Sequence, residues 1–439
     1  MLFYSHTISP RLQYITDFIG KEIFGKTLEI TTNREVFLHF AEPKINYSNE
    51  RITTGEFWVQ PHSLVFEKDI KQQSIKCFDR GGQKAIFKTE GDYPFDIFAA
   101  CFYLLSRYEE YLPHKKDIYG RYNHENSLAF KESFLHLPLI NLWLQEFRSS
   151  LKQKFSNLNP QSSTLPTGQA GFKLLPTYDI DEAFSYKHKQ WWRTTGATIK
   201  SVIRGQWSAV DERIKVLRGR KKDPFDSYDW MDQLHRQYNL KPYYFFLVAR
   251  KTGKYDKNIL PSEKVTQELI RQHSNRYSIG IHPSWQSGDD ADKLKFEILK
   301  LGHITGKQIL SSRQHFIRFT LPHTYRLLID LGIESDFSMG YGSINGFRAS
   351  VASPFYWYDL AKEEQTKLLL YPFCFMDANS FFEQKLSPQQ ALDEIRQYYK
   401  TVKSINGTFI TIWHNTFLGT SKLFAGWRDV YEQFIKEIS

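Results

Sequence analysis

Six residues in the C-terminal three-fifths of the chain carry side chains suited to hydrolytic metal chemistry, and each follows an apolar run. Asp179 and Asp181 close Lys173-Leu-Leu-Pro-Thr-Tyr178. His282 follows Tyr277-Ser-Ile-Gly-Ile281, Arg313 and His315 follow Gln308-Ile-Leu-Ser-Ser312, and His414 follows Phe409-Ile-Thr-Ile-Trp413. In an extended chain, side chains two apart point to the same side. Both carboxylates would then leave one side of a strand's C-terminal mouth, where parallel α/β folds build their sites. One carboxylate could hold a metal while its neighbour takes a proton from water. The alternative for Asp-x-Asp alone is an Asx-type turn, with both acids capping backbone. Three histidines and a carboxylate pair, each just past a β-run, point to a site.

These positions require a particular scaffold. From Phe172 onward, strand-like runs (Phe172–Tyr178, Pro242–Ala249, Tyr277–Ile281, Gln308–Ser311, Leu368–Phe375, Thr408–Trp413) alternate with helical segments. Helices are predicted over about Ser262–His273, Asp289–Leu301 and Leu423–Ile438, and from the capping box Ser387-Pro-Gln-Gln390 through Val402. Alternation of this kind implies a mainly parallel sheet. Six or seven strands over residues 172–439 favour a (β/α) barrel over an open sheet. Residues 1–155 read as a smaller mixed α/β domain, with strands near Thr27–Thr31 and Glu56–Gln60 and helices after Pro94 and Pro138. Residues 156–171, rich in Ser, Asn, Pro and Gly, form the predicted linker.

Composition narrows the class. The 439 residues are 41% hydrophobic and 16% aromatic, and the aromatic surplus could line a sugar-binding groove. No apolar window is long enough for a transmembrane helix, and the start lacks the features of a signal peptide. Cys77, Cys101 and Cys374 form neither a disulfide framework nor a metal-ligand spacing, so a reducing, cytoplasmic setting is expected. Much of the net charge of +10 is local: residues 187–222 hold eleven Lys and Arg against Asp211 and Glu212. With no nucleic-acid-binding signature present, a nucleic-acid partner is not expected. The same segment holds Trp191, Trp192 and Trp207. It reads either as a peripheral contact with an anionic membrane or a lid over a phosphorylated substrate, or as a solvated insertion packing its aromatics on the barrel.

The second domain resembles the NodB-type polysaccharide deacetylases, carbohydrate esterase family 4. Thr177-Tyr-Asp-Ile-Asp181 resembles that family's first motif, and His282-Pro-Ser-Trp285 lies where its histidine motif falls. Ser312-Arg-Gln-His315 resembles the third motif and Ile412-Trp-His-Asn415 the last. The whole chain resembles bacterial members with an N-terminal domain of unknown function, through Ser106-Arg-Tyr-Glu-Glu-Tyr-Leu-Pro113 and Gly346-Phe-Arg-Ala-Ser350. The resemblance implies a deformed barrel around a single divalent metal, Zn first, with Co, Ni or Mn as alternatives. It makes Asp179 the general base, Asp181 and His282 metal ligands, Arg313 the partner of Asp179, and His414 the general acid. The implied activity is removal of an acetyl group from an N-acetylated sugar or glycan precursor. A non-catalytic carbohydrate- or partner-binding relative and a hydrolase of another carbon–nitrogen bond are the alternatives.

The chain departs from the family pattern where a second histidine is usual, since the fourth residue after His282 is Gln286. A carboxamide is a poor zinc ligand. His315 is the candidate replacement, giving a ligand set of Asp181, His282 and His315. Asn415 replaces the carboxylate often found after the last histidine. Asp336 and Ser338 either bond to the site or cap a turn, Asp377 follows a strand and reads as facing the same mouth, and Arg348 reads equally as substrate-binding or structural. Arg107, Glu109, Glu110, Asp117 and Arg121 read as a solvated or interdomain ion-pair patch. His188, His273 and His323 read as surface residues. Oligomeric state is left open.

Overall fold

The computed structural model describes residues 1–156, 158, 171–188 and 207–439. Most of the linker expected over 156–171, and Trp191 and Trp192 of the basic segment, lie outside the described residues.

The N-terminal region begins with a strand that its short apolar sequence hides. Leu2–Ser5 (β1) lies centrally in a parallel sheet between Glu29–Thr31 (β2) and Lys44–Tyr47 (β3), with Phe57–Trp58 (β4) beyond. The helix Pro10–Phe24 covers it. Ser9 caps its start by accepting from the Leu12 amide, Pro10 fits the first turn, and Gly25 ends it in the left-handed region. A helix over Ile97–Leu105, capped by Asp96, is buried along its whole length. Phe78–Arg80 (β5) and Gln83–Ala85 (β6) form a small separate hairpin. The helix Leu139–Lys154 completes the region.

The second sheet has nine strands. Lys173–Ile180 (β7) and Thr408–His414 (β15) lie side by side, with Tyr243–Leu247 (β8), Ser278–His282 (β9), Ser311–Ser312 (β10) and Ser335–Asp336 (β11) following β7 in parallel. Phe355–Asp359 (β12) and Glu364–Leu370 (β13) form an antiparallel hairpin beyond β11, and Phe375–Met376 (β14) flanks β15. The sheet curls into a deformed half-barrel whose edge strands, β12 and β14, do not pair. The expected strand Leu368–Phe375 is thus two strands. Pro372 stands between them, and a residue without an N–H cannot serve a ladder from within. Pro176 has the same defect inside β7, where the neighbouring Thr177 hydroxyl donates to the Thr411 carbonyl at 2.6 Å. The helix Pro388–Ser404 carries the predicted capping box, with Ser387 and Gln390 bonding reciprocally.

One apolar core runs through both sheets. The N-terminal region covers the β12–β13 edge, an exposed hairpin edge being a site for unwanted pairing. Arg11, buried, donates to Glu363 at 2.9 Å, and the Tyr14 hydroxyl donates to the Tyr356 carbonyl at 2.8 Å. Gly346 lies against Leu135, whose side chain would sit 2.0 Å from an added Cβ. Its φ of 142° is also closed to other residues. The Arg107 patch is buried here and not solvated. Arg348 donates from Nε to Glu110 at 2.8 Å, and Arg107 donates from Nε to the same carboxylate at 2.7 Å. Arg348 is therefore structural, 1% exposed and committed to the N-terminal region.

His273 corrects a reading. It is buried, with Nδ1 2.8 Å from the Leu269 carbonyl, because its helix turns that face onto β8 and β9. In the basic segment, Trp207–Leu217 forms a helix whose Arg213 and Val216 face inward, while Trp207, Ile214 and Leu217 are exposed. Trp207 is thus not packed on the barrel. No described helix is long and apolar enough to cross a membrane.

Candidate metal centre

Strand register brings the polar residues together. β7 pairs with β15 so that Asp179 stands beside His414, and β8 pairs with β9 so that Leu247 stands beside His282. Asp181 lies just beyond the end of β7. Its Oδ1 is 3.0 Å from His282 Nε2, and its Oδ2 is 3.4 Å from His315 Nε2 and 3.7 Å from His414 Nε2. All six candidate residues meet at this one mouth.

Asp181, His282 and His315 can each turn one ligand atom to a common point, with those atoms within 4.8 Å of one another. The donor set fits a divalent cation for three reasons. Asp181 Oδ1 is buried and has no hydrogen-bond partner despite its nearness to His282. Both imidazoles have their outer nitrogens engaged: His282 Nδ1 is 2.6 Å from the Arg313 carbonyl, and His315 Nδ1 is 3.0 Å from Asp256 Oδ1. Such outer contacts fix the tautomer and aim the Nε2 lone pairs inward. Finally, one carboxylate and two imidazoles leave a coordination position open, as catalytic zinc sites do.

Burial alone would raise Asp181, but the facing imidazoles of His315, His282 and His414 outweigh it and hold the carboxyl well below its usual range. Burial alone would lower His315, yet the Asp181 and Asp256 carboxylates push it up to about 9. Ligands that must shed protons bind a cation more weakly as pH falls.

Two further pairs flank this cluster. Arg313, fully buried, donates from Nη1 to Asp179 Oδ1 at 2.9 Å and to Thr177 Oγ1 at 2.6 Å. Its guanidinium rests on the Phe245 ring, 4.5 Å from the centroid. One Asp179 oxygen is thereby fixed, while Oδ2 faces His282 at 3.9 Å. On the other side, His414 Nδ1 is 2.6 Å from Asp377 Oδ1, and Asp377 Oδ2 accepts from the His414 backbone amide at 2.7 Å. Against the lowering effect of burial, Asp377 and Asp181 push His414 up to about 10.

Asp256 has no marker in the sequence; it sits in the loop after β8, among residues without periodicity. Asp377 supplies the carboxylate that Asn415 lacks, and Asn415 itself turns away to the Glu182 and Phe225 carbonyls. Gln286 is outside the cluster: it lines a separate cleft with Phe296 and Lys293. Asp336 accepts from Ser312 Oγ at 2.6 Å and from the Ser338 amide at 2.8 Å, which ties the β10 and β11 ends together beneath Arg313.

After His315 the backbone turns sharply, with Phe316 and Ile317 both in the left-handed region at φ 58° and 54°. Such residues cost of order 1–3 kcal/mol each and persist only where the surroundings enforce them. The turn swings Phe316 into a cleft of about 560 Å³ that opens over Asp179, Asp181, His282, His315 and His414. Phe382, Phe417 and Phe424 also line it.

Residues 1–156 match a family described only as one of unknown function, DUF7033. No curated protein matches the chain. Among solved structures, the chain is similar to a protein of Mycobacterium smegmatis assigned as a polysaccharide deacetylase, at 15% identity and a TM-score of 0.38, over 61% of this chain and 84% of that one. It is similar to a polysaccharide deacetylase of Bacillus cereus at 10% identity and a TM-score of 0.31, over 61% and 88%. A pseudoenzyme of carbohydrate esterase family 4 from Bacillus anthracis matches at 8% identity and a TM-score of 0.31, over 61% and 62%. Similarity at this level carries no weight for substrate or chemistry, which are read from the site itself.

Proposed function

We propose that the protein is a metal-dependent hydrolase that removes the acetyl group from an N-acetylated sugar or glycan. The observation that carries this reading is the conjunction of an Asp181–His282–His315 donor set with a held carboxylate on one side and a carboxylate-backed imidazole on the other. When bound, a divalent metal would polarise the amide carbonyl and acidify water. His315 takes the place of the second histidine that Gln286 does not supply.

Asp179 is the general base. Arg313, steadied by its bond to Thr177, holds Oδ1, so Oδ2 is left to accept a proton from water in the cleft. His414 is the general acid. Asp377 holds Nδ1, which leaves Nε2 pointing toward Asp181 and the cleft to protonate the departing amine. An amine leaving as an anion would be prohibitive, and a positioned acid removes that barrier. The aromatic lining offers flat apolar faces to sugar rings.

The test measures metal content and acetate release from N-acetylated oligosaccharides. The wild-type protein is expected to bind about one divalent ion and release acetate. Asp179→Asn should retain the ion and lose activity by about 10²–10⁴-fold, the usual contribution of a general base. Acetate release that survives Asp179→Asn, or the absence of any ion, would overturn the hydrolase reading. Full metal content in His315→Ala would overturn the ligand set.

A further inference from the structure

The metal cluster belongs wholly to residues 172–439, but the cleft above it does not. Tyr119 and Arg121, from the N-terminal region, line the same cleft as Asp181, His282, His315 and His414. We infer that the N-terminal region supplies a sugar-ring subsite of this cleft, with Tyr119 as the residue that touches the ligand and Arg121 as its positioning residue. The inference deepens the glycan reading above and rests on it.

The segment that carries Tyr119 is built to hold one conformation. Asp117 Oδ1 accepts from the amides of Tyr119 at 2.9 Å and Arg121 at 3.0 Å, an Asx-type arrangement, and Gly120 takes the left-handed φ of 80° that the turn needs. The Tyr119 carbonyl accepts from Trp285 Nε1 at 3.3 Å, three residues beyond His282. Arg121 then ties the turn to the barrel. It donates from Nη1 to the Gly342 carbonyl at 2.6 Å and to the Phe316 carbonyl at 3.3 Å, and from Nε to Asp117 at 2.6 Å. The Phe316 carbonyl belongs to the left-handed turn that directly follows His315. An arginine of the N-terminal region thus braces the strained backbone beside a metal-ligand candidate.

The Tyr119 ring is placed as firmly. The Arg121 guanidinium lies 4.7 Å from its centroid, and the rings of Phe316 and Tyr255 lie 5.2 and 5.9 Å away. Even so, the ring is partly exposed, and its hydroxyl makes no hydrogen bond among the described residues. A held aromatic edge with a free phenol, set among other rings, matches a pyranose, which presents apolar C–H faces and a rim of hydroxyls. Arg121 is not the recognition element for an anionic group, because its Nε and Nη1 are engaged and its Nη2 lies 3.6 Å from Glu383. The ligand class read at Tyr119 is therefore a sugar ring held by its apolar face and hydroxyl rim, not by charge pairing with Arg121. Since Phe316, whose ring packs on Tyr119, also packs on His315 with centroids 4.6 Å apart, the ring bound here is a neighbour of the one whose acetyl group reaches Asp181. The substrate is then a glycan of at least two sugars.

Binding of N-acetylglucosamine monomer and tetramer to the full chain, measured by calorimetry on Asp179→Asn, tests this without turnover. The tetramer is expected to bind at least about tenfold more tightly than the monomer. Tyr119→Ala should erase that advantage while leaving monomer binding and metal content unchanged, and Tyr119→Phe should recover part of it. The inference is overturned if the tetramer binds no better than the monomer, or if Tyr119→Ala retains the advantage. It is also overturned if Tyr119→Ala loses metal and monomer binding together, since that marks a purely structural role. Tyr119-dependent tetramer binding in a protein that releases no acetate would leave the subsite standing and remove the hydrolase reading instead.

Discussion

Asp256→Asn should weaken binding of a divalent metal by about 10–100-fold, without unfolding the protein. Asp256 is 2% exposed, and its Oδ1 lies 3.0 Å from His315 Nδ1. An ionised carboxylate can only accept, so Nδ1 keeps a proton, and Nε2, 3.4 Å from Asp181, is the nitrogen that binds a cation once it sheds its own. Asparagine would still offer a carbonyl to the Trp285 amide, which now donates to Asp256 at 2.9 Å, so the loop should keep its course. Yet asparagine removes the negative charge behind the imidazole. Loss of an outer partner of this kind corresponds to about 1.4–2.7 kcal/mol of metal-binding free energy. Competition with a chromophoric chelator at fixed pH measures it, with thermal unfolding as the check on folding. His315→Ala sets the lower limit of affinity. An Asp256→Asn protein that stays folded and binds within twofold of the parent would show that His315 is not a ligand held by Asp256.

Two further outcomes concern stability. Glu110→Ala leaves the buried Arg348 guanidinium with only the Gly340 carbonyl as a hydrogen-bond acceptor, so denaturant unfolding should show a loss of about 3–5 kcal/mol. A loss below about 1 kcal/mol would mean that water reaches Arg348. His235 is buried, with Nε2 2.7 Å from the Tyr178 hydroxyl, and burial lowers its pKa from 6.5 to about 4. The folded protein therefore excludes a proton that the unfolded chain binds below pH 6.5, and stability is lost as pH falls from there toward 4. At pH 5 the contribution is about 2 kcal/mol, and His235→Gln, which keeps an acceptor for Tyr178, should remove that much of the difference between pH 7.5 and pH 5 in urea unfolding. An unchanged pH slope in that variant would place the titrating group elsewhere.

The sequence shows much of this site because strand ends show in it. Asp179, His282 and His414 each close an apolar run, and in a parallel sheet such ends converge. Arg313 and His315 follow a run whose ordered strand shrinks to Ser311–Ser312, but the chain leaves the sheet on the same side. What the sequence hides is whatever depends on loops reaching across. Asp256 and Tyr119 sit in segments with no periodicity, and nothing in their composition says where they point. Asp377 lies nearer to legibility, since Phe375-Met376 is a strand, but its pairing with His414 depends on the β14–β15 register. The N-terminal strand β1 and the strand β12 are hidden for a different reason. Short strands buried in a mixed sheet lack the alternation that a half-exposed strand would display.

The Arg107–Glu110–Arg348 lattice has a practical consequence for dissecting this protein. Charges buried between the N-terminal region and the barrel make the boundary a poor place to cut. A barrel freed of residues 1–156 would present Arg348 without its carboxylate and Glu363 without Arg11, and would uncover the β12–β13 edge. The two regions should unfold as one cooperative unit. Activity lost on truncation would report a broken interface, so the contribution of the N-terminal region has to be read from point substitutions in the intact chain.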